Sequence, residues 1–302
     1  MGNHTMPEPK IENDGGALPA GEMGAPENRA NELSIADWTR SSISVWSDIR
    51  FTEGERQLRH PAMFPMMLVE RLVRCYTKDS DRVFLDPFLG SGSTLAVAKN
   101  MGRSGIGFEV YDDYIKLAHS RLSQPSLFPA PGSQITIHKA DARQITKFVD
   151  ASSVDFCFTS PPYWDVLAQR RSADQKETRN YDDQRDLGLV EDYDRFLDDL
   201  RQVFAGVYTV LRPGKYCVID VMDLRKGPKF FPLHLDLAKR LIEIGFVHDG
   251  IIIWDRRQEY ENLGAAGYPH AFRINEVHEF LLIFQKPRDV QPSAPQIFPI
   301  RT

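Results

Sequence analysis

Cysteines are few in this sequence of 302 residues, and long apolar runs are missing altogether. Cys75, Cys157 and Cys217 are scattered through apolar segments without a CxxC pair, so we expect reduced core residues and neither disulfides nor a metal site. No run approaches the ~20 apolar residues that span a membrane. The N-terminus lacks a basic stretch followed by an apolar one, so no secretory signal is predicted. These absences indicate a cytoplasmic protein that has no membrane partner.

An excess of positive charge, the usual mark of a nucleic-acid partner, is missing too. The chain has 37 Lys and Arg residues against 42 Asp and Glu residues, a formal net charge of −5. Two basic and six acidic residues fall in the first 33 positions, which therefore carry four of the five net negative charges. The rest of the chain is close to neutral, which leaves room for a local basic face.

The composition changes after residue 33. Residues 1–33 are rich in Gly, Pro, Asn and Glu and show no hydrophobic period, so we predict a disordered tail. Residues 34–287 alternate between strand and helix patterns and are predicted to form one α/β domain with seven strands. Residues 288–302 are predicted to be a second tail.

A glycine-bearing turn follows the first of these strands. Residues 83–85 (VFL) are apolar, residues 86–94 read DPFLGSGST, and a helix pattern covers residues 95–101. A strand, a glycine turn and a helix N-terminus in succession let backbone N–H groups approach an anion or a ligand edge closely. The turn lacks the lysine of a P-loop and the G-x-G-x-x-G spacing of a dinucleotide site.

Acidic residues end three successive strands. Asp86 ends the first, Glu109 ends the second, and Asp141 follows the third at residues 134–139. Glu109 lies where the acidic residue of a βαβ unit reaches the hydroxyls of a cofactor ribose. We expect all three carboxylates at the ligand-binding edge of the sheet, with a helix N-cap as the alternative role for each.

The fourth strand, residues 154–158 (VDFCF), runs into the sequence Thr159-Ser160-Pro161-Pro162-Tyr163-Trp164. The two prolines stiffen the loop and donate no N–H, so its carbonyls are left to accept hydrogen bonds. Together with a hydroxyl and two aromatic faces, this loop suits a planar group that bears an amine, such as a nucleobase. The alternative is a rigid connection with exposed aromatic side chains.

The motifs resemble a known family, the S-adenosylmethionine-dependent amino-methyltransferases of DNA, which methylate N4 of cytosine or N6 of adenine. The resemblance runs from about residue 46 to residue 286. Residues 86–94 are similar to the family's DPFxGSGT motif, and SPPY at residues 160–163 is similar to its catalytic (D/N/S)PP(Y/F) motif. Residues 60–65 resemble the segment that packs around the methionine end of the cofactor. HEFLLIFQK at residues 278–286 resembles the family's terminal HEYxLxFxK strand.

The resemblance implies a class I methyltransferase fold, with a Rossmann-like, seven-stranded mixed sheet, helices on both faces and an antiparallel last strand. It implies that Glu109 binds the ribose of S-adenosylmethionine and that Asp141 binds the adenine amine. The full set of implied cofactor residues is Pro61, Phe64, Asp86, Phe88, Gly90, Ser91, Gly92, Ser93, Glu109 and Asp141.

The resemblance also implies that Ser160, Pro161, Pro162 and Tyr163 are catalytic, and that the substrate is a base flipped out of DNA. Tyr163, together with Trp164, is expected to stack on the base. Three polar loops, at residues 165–188, 223–232 and 255–277, are the candidates for DNA contact, with solvated loops as the alternative. Their candidate cations are Arg170, Arg171, Arg256, Arg257 and Arg273.

Serine rather than aspartate at position 160 favours cytosine N4 and the cytosine branch of the family. Adenine N6 and an RNA base remain alternatives, as does a catalytically silent protein that binds S-adenosylmethionine. No separate stretch of about a hundred residues is left for target recognition, so single- and double-stranded DNA both stay open. A restriction enzyme partner and a homodimer are left open as well.

Overall fold

The computed structural model describes residues 30–57, 63–123, 133–164, 183, 185–259, 274 and 276–288. The chain divides into two units, Met1–Ala30 and Asn31–Thr302, and the fold described below is that of the second unit. Asn31 and Leu33 are buried in this unit, and the Asn31 Nδ2 donates to the carbonyl oxygen of Cys75 over 3.0 Å. The second unit therefore includes residues 31–33, and the predicted domain boundary at residue 34 stays a prediction. The rest of the predicted N-terminal tail, apart from Ala30, lies outside the described residues, as does the C-terminal tail beyond residue 288.

Seven α-helices occur in the described part of the chain. They are α1 (Ile35–Ser41), α2 (Glu53–Gln57), α3 (Met66–Tyr76), α4 (Ser93–Asn100), α5 (Asp112–Leu122), α6 (Tyr193–Val210) and α7 (Leu233–Ile244). None of the described helices combines the length and the apolar character that crossing a membrane requires.

Ten strands occur in the same residues. They are β1 (Val45–Trp46), β2 (Val83–Asp86), β3 (Ser104–Glu109), β4 (Ile135–Lys139), β5 (Val154–Thr159), β6 (Leu211–Val221), β7 (Leu224–Lys226), β8 (Lys229–Phe231), β9 (Val247–Asp255) and β10 (His278–Gln285).

Eight of these strands form one sheet in the order β1-β9-β10-β6-β5-β2-β3-β4. β10 is antiparallel to both of its neighbours, and the other pairings are parallel. The predicted mixed sheet with an antiparallel last strand is thus confirmed. The short β1 adds an eighth strand at the edge, where Val45 and Trp46 pair with Ile253 and Trp254. β7 and β8 form a separate hairpin.

The central strands are buried on both faces, and their side chains alternate between two cores. Phe156 and Phe158 of β5 belong to the core under α3 and α4, whereas Cys157 between them belongs to the core under α6 and α7. Helices therefore cover both faces, as predicted. The three cysteines are buried, as expected of core residues.

The helices follow from local patterns in the sequence. In α6 the apolar residues Phe196, Leu200, Val203 and Val207 recur on one face and are fully buried. The side chain of Asp192 caps its N-terminus by accepting from the Arg195 N–H over 2.8 Å. The strand after α6 follows without a loop, because β6 starts at Leu211, directly where the helix ends.

The order of the sheet decides where a ligand can bind. The chain moves outward from β2 through β3 to β4, and then returns to place β5 on the other side of β2. The carboxyl ends of β2 and β5 are therefore neighbours at a topological switch point, the position at which open α/β sheets bind their ligands.

Candidate active site

A hydrogen bond joins the ends of β2 and β5. Thr159 Oγ1 donates to Asp86 Oδ1 over 2.7 Å, and the Phe88 N–H contacts both acceptors, at 3.1 Å from Asp86 Oδ1 and 3.2 Å from Thr159 Oγ1. Asp86 and Thr159 are fully buried. Burial raises the pKa of Asp86 to about 6, against the lowering effect of these hydrogen bonds. The glycine turn and the loop that carries Ser160 are thus fixed to each other at their first residues.

The glycine turn after Asp86 needs its glycines. Gly90 and Gly92 have φ values of 49° and 82°, a region that other residues rarely adopt. A Cβ on Gly92 would also lie 3.1 Å from the Cβ of Ala118. The Gly90 N–H donates to Glu109 Oε2 over 2.9 Å, so the turn is held against the end of β3.

Ser91 and Ser93 of the same turn meet a buried ion pair that the sequence did not reveal. Arg121 and Glu55 form this pair, at 3.0 Å, with side chains only 6% and 5% exposed. Arg121 Nη1 also donates to Ser93 Oγ over 2.8 Å, and Ser93 Oγ donates to the carbonyl oxygen of Phe64 over 3.0 Å. The Ser93 hydroxyl therefore positions the turn and the segment that contains Phe64.

Glu109 presents a half-buried carboxylate at the end of β3. It accepts hydrogen bonds from the N–H groups of Gly90, Val110 and Tyr111 at 2.7–3.0 Å. Burial nevertheless raises its pKa to about 7. A carboxylate offers about four lone pairs, so capacity remains for the hydroxyl groups of a ligand.

Asp141 shows its alternative role. Its Oδ1 accepts from the Arg143 N–H over 2.8 Å and caps the 3-10 helix Ala142–Lys147, while the Arg143 guanidinium binds both carboxylate oxygens. The flanking Ala140 and Ala142 line the cavity described next, but Asp141 does not. Its expected contact with an adenine amine remains a prediction.

A single cavity connects the two motif loops. It encloses about 1030 Å³, counted with its open mouth. Its walls come mainly from residues 63–64, 87–91, 108–111, 160–163 and 186–188. The glycine turn, the Glu109 carboxylate and the Ser160–Tyr163 loop therefore share one space.

The Ser160–Tyr163 loop rests on a buried acid. Ser160 Oγ lies 3.0 Å from Tyr163 Oη, and Tyr163 Oη donates to Glu279 Oε2 over 3.0 Å. Glu279 is also bound by Arg256. Burial raises the pKa of Tyr163 well above its ordinary value, so the phenol stays protonated. Tyr163 still lines the cavity, but its hydroxyl is engaged on the side of Glu279.

Trp164, which is predicted to stack on the substrate base together with Tyr163, lies outside the cavity wall. Its ring is only 5% exposed and packs between the rings of Tyr193 and Phe231, with centroids at 5.2 and 4.9 Å. Its Nε1 donates to the carbonyl oxygen of Val190 over 2.8 Å, and the ring is not part of the cavity wall. Trp164 anchors the Ser160–Tyr163 loop in the core because Tyr193 of α6 and Phe231 of β8 pack on its ring.

The structure describes two of the five arginines that were predicted to bind the substrate, Arg256 and Arg257. Arg170, Arg171 and Arg273 lie outside the described residues, as does Pro61 of the predicted cofactor set. Arg256 is held by Glu259 and Glu279, which places it behind Tyr163 and not on the cavity. Arg257 forms an ion pair with Asp255, although 68% of the Arg257 side chain is exposed.

The hairpin of β7 and β8 carries a cluster of exposed cations. Arg225, Lys226 and Lys229 are exposed on it, and its own residues 224–231 include no acid. Phe230 is 40% exposed under the guanidinium of Arg225, and Lys226 Nζ lies 4.3 Å from the centre of the Trp164 ring. We refer to residues 224–231 as the basic hairpin. It places local positive charge next to Trp164, in a chain whose net charge is negative.

The cavity fits S-adenosylmethionine by the chemistry of its walls. Phe64, Phe88 and Phe108 offer flat apolar surfaces, Glu109 offers a carboxylate to ribose hydroxyls, and the glycine turn offers backbone at close range. No group of three or more His, Cys, Asp or Glu side chains within the described ranges is arranged to hold a metal ion.

Comparisons with known proteins agree on one family. A family model described as DNA methylase matches residues 22–120 and 154–299. The type II methyltransferase M.ScaI of Streptomyces caespitosus is 38% identical over 101 residues, which are 32% of this chain and 33% of that protein. The type II methyltransferase M.MjaI of Methanocaldococcus jannaschii is 28% identical over 182 residues, 53% of this chain and 60% of that protein.

A solved structure is similar to about half of this chain. It is a proposed DNA modification methylase of Thermus thermophilus in complex with S-adenosyl-L-methionine, with 30% identity and a TM-score of 0.37. The match covers 51% of this chain and 56% of that one. The chain thus matches between 33% and 60% of the length of these three proteins.

Proposed function

Because the chain belongs to the family of S-adenosylmethionine-dependent N4/N6 amino-methyltransferases of DNA, we propose that it transfers a methyl group to the exocyclic N4 of cytosine in DNA. One observation carries the proposal. The Ser160 hydroxyl of the proline loop and the Glu109 carboxylate at the end of β3 line one cavity together with the glycine turn, at the switch point of the sheet. A donor molecule held at Glu109 would therefore extend toward a base held at Ser160.

The cofactor side of the proposed site is the glycine turn with its neighbours. Glu109 would accept hydrogen bonds from the ribose hydroxyls, and the backbone of residues 88–92 would contact the methionine portion. When bound, S-adenosylmethionine supplies a methyl group on a sulfonium, which needs no further activation. Phe64, held by the Ser93 hydroxyl, closes the cavity beside the turn.

On the base side of the proposed site, the protein has to make the exocyclic amine, a poor nucleophile, reactive. The lone pair of an aromatic exocyclic amine is delocalised into the ring, so the nitrogen must first be drawn toward sp³ geometry. A hydrogen bond from the amine to Ser160 Oγ, with a second one to a carbonyl of the proline loop, would do this and aim the lone pair across the cavity. Catalysis of this kind is positioning with local electrostatics, without a covalent enzyme intermediate.

The choice of cytosine rests on Ser160. Serine at the first position of SPPY is typical of the cytosine branch of the family, whereas the cavity walls themselves offer an acceptor that either amine could use. The decisive experiment is incubation of the protein with labelled S-adenosylmethionine and DNA, followed by mass spectrometry of the nucleosides. We expect N4-methylcytosine. N6-methyladenine without N4-methylcytosine would overturn the choice of base, and methylation unchanged by Ser160→Ala would overturn the proposed site.

The proposed contact with DNA uses the basic hairpin. Lys226 of the hairpin lies against the ring of Trp164, directly after the Ser160–Tyr163 loop, and Arg225 and Lys229 are exposed on the same hairpin, so these cations would contact the backbone that flanks a flipped base. Phosphate contacts of this kind fix the position of the DNA and carry no sequence information of their own. The hairpin would therefore contribute to the affinity for DNA but would not select the DNA sequence.

A further inference from the structure

A group of buried ionisable side chains lies behind the catalytic loop. Glu279 on β10 and Asp220 on the neighbouring β6 are 3% and 1% exposed, and Tyr163 meets Glu279 from the loop. Arg256, just after β9, binds Glu279 from the other side. We call Tyr163, Asp220, Arg256 and Glu279 the Glu279 network. Burying charge and polar groups costs several kcal/mol unless each is paired, so their convergence under one loop calls for an explanation.

The protonation of the network follows from its charges. Arg256 also binds Glu259 at 2.6 Å, so one guanidinium faces two carboxylates. Burial, and next the charge of Glu279, raise the pKa of Asp220 well above its ordinary value. Asp220 therefore holds a proton. Both oxygens of Glu279 are engaged by donors, Oε1 by the Arg256 guanidinium and Oε2 by the Tyr163 hydroxyl, so this carboxylate accepts hydrogen bonds and donates none.

The direction of each hydrogen bond toward the cavity is then determined. Tyr163 has a single hydroxyl hydrogen, and it is used by Glu279. In the 3.0 Å contact between Ser160 Oγ and Tyr163 Oη, the hydrogen must therefore come from Ser160. The serine hydroxyl also has only one hydrogen. Toward the cavity, Ser160 Oγ can therefore accept a hydrogen bond but cannot donate one.

We propose that Glu279 is a positioning residue that acts through Tyr163 to hold Ser160 as a hydrogen-bond acceptor for the substrate amine. This inference rests on the proposed function, in which the amine donates an N–H to Ser160. Without the carboxylate, Tyr163 could donate to Ser160 instead. The serine hydrogen would then be free to point at the amine, where it would compete for the lone pair that the reaction needs.

The test compares two substitutions in the relay with a matched control. Glu279→Gln replaces an obligatory acceptor by an amide that can donate to Tyr163, and Tyr163→Phe removes the hydroxyl while leaving Glu279 with Arg256. Glu259→Gln makes the same carboxylate-to-amide change beside the same arginine, but without a contact to Tyr163. Single-turnover methylation, the Kd of S-adenosylmethionine and thermal unfolding are measured for each full-length protein.

We expect Glu279→Gln and Tyr163→Phe to slow methyl transfer at least tenfold, while cofactor affinity stays within about twofold. We also expect the double variant to be no slower than Tyr163→Phe, because both changes break one relay. Glu259→Gln should keep the wild-type rate within about twofold. A rate within twofold of wild type for Tyr163→Phe, or an equal loss in Glu279→Gln and Glu259→Gln, would overturn the inference. Absence of methylation in the wild-type protein would instead overturn the proposed function.

Discussion

Thr159 Oγ1 donates a hydrogen bond to Asp86 Oδ1 over 2.7 Å, and both side chains are fully buried between the two motif loops. This contact links the glycine turn with the Ser160–Tyr163 loop before either of them reaches the cavity. Removing the hydroxyl in Thr159→Val leaves a buried carboxyl with one donor fewer. We expect a loss of about 1–3 kcal/mol in the free energy of unfolding, measured by urea denaturation. Thr159→Ser, which keeps the donor, should lose less, and equal losses in the two variants would contradict this role.

The buried Asp86 makes stability depend on pH. Its pKa is raised to about 6 in the folded protein, above its ordinary value of 3.8, so the folded state favours the protonated form. Its contribution to stability is fully present below pH 3.8 and is lost as the pH rises through about 6. The shift corresponds to a contribution on the order of 3 kcal/mol. Urea unfolding of the ligand-free protein between pH 4 and pH 7 should show this decline, and Asp86→Asn should flatten it. An unchanged slope in that variant would assign the decline to other groups.

Glu109 is expected to make cofactor binding depend on pH. Its pKa is raised to about 7, so near neutrality a large share of the ligand-free protein holds a protonated carboxyl. The ionised form accepts from ribose hydroxyls, and we therefore expect S-adenosylmethionine to bind more tightly as the pH rises from 6 to 8. Calorimetric titration at several pH values measures this trend. Glu109→Gln should bind more weakly, with little change over the same range, and a wild-type affinity that falls as the pH rises would contradict the assignment.

The basic hairpin is expected to set the salt dependence of DNA binding. Arg225→Gln and Lys229→Gln each remove one exposed cation next to the catalytic loop. For double-stranded DNA, each lost phosphate contact should reduce the slope of log K against log salt by about 0.9. Fluorescence anisotropy with a labelled duplex at several salt concentrations gives the slopes.

Arg74→Gln is the matched control for the hairpin variants. Arg74 is exposed in the last turn of α3, just before β2 begins. It therefore lies toward the amino ends of the parallel strands, whereas the cavity lies at their carboxyl ends. Its slope should equal that of wild type. If Arg74→Gln lowers the slope as much as the hairpin variants do, the effect is one of net charge and the hairpin is not the contact. S-adenosylmethionine affinity should stay unchanged in all three proteins.

Trp164 is expected to act on stability and not on recognition of the base. The ring is enclosed by Tyr193, Phe231 and the carbonyl oxygen of Val190. Trp164→Ala should therefore cost about 3–5 kcal/mol of unfolding free energy, whereas Trp164→Phe should recover much of it. A variant that unfolds like wild type but has lost affinity for DNA would restore the stacking role predicted from the sequence.

The sheet and the place of the site could be predicted because they depend on local patterns. Residues 154–158 are apolar almost throughout, which indicates a strand buried on both faces. The glycine turn and SPPY each follow such a strand, so parallel pairing brings both loops to one edge. The two-residue β1 was missed, since a strand this short has no period of its own and forms only because β9 offers a free edge.

The amino-acid sequence by itself determined the family motifs, the alternation of strands and helices, and the carboxylate at the end of β3. Only the tertiary structure decided the partners of individual side chains: Arg256 joined Glu279 behind the loop, Trp164 entered the core and Asp141 became a cap. The physical reason is that a side chain's residue type fixes how many hydrogen bonds it can make, whereas its partners come from segments distant in the chain. Which way the Ser160 hydroxyl points is therefore set at Glu279, on the last described strand.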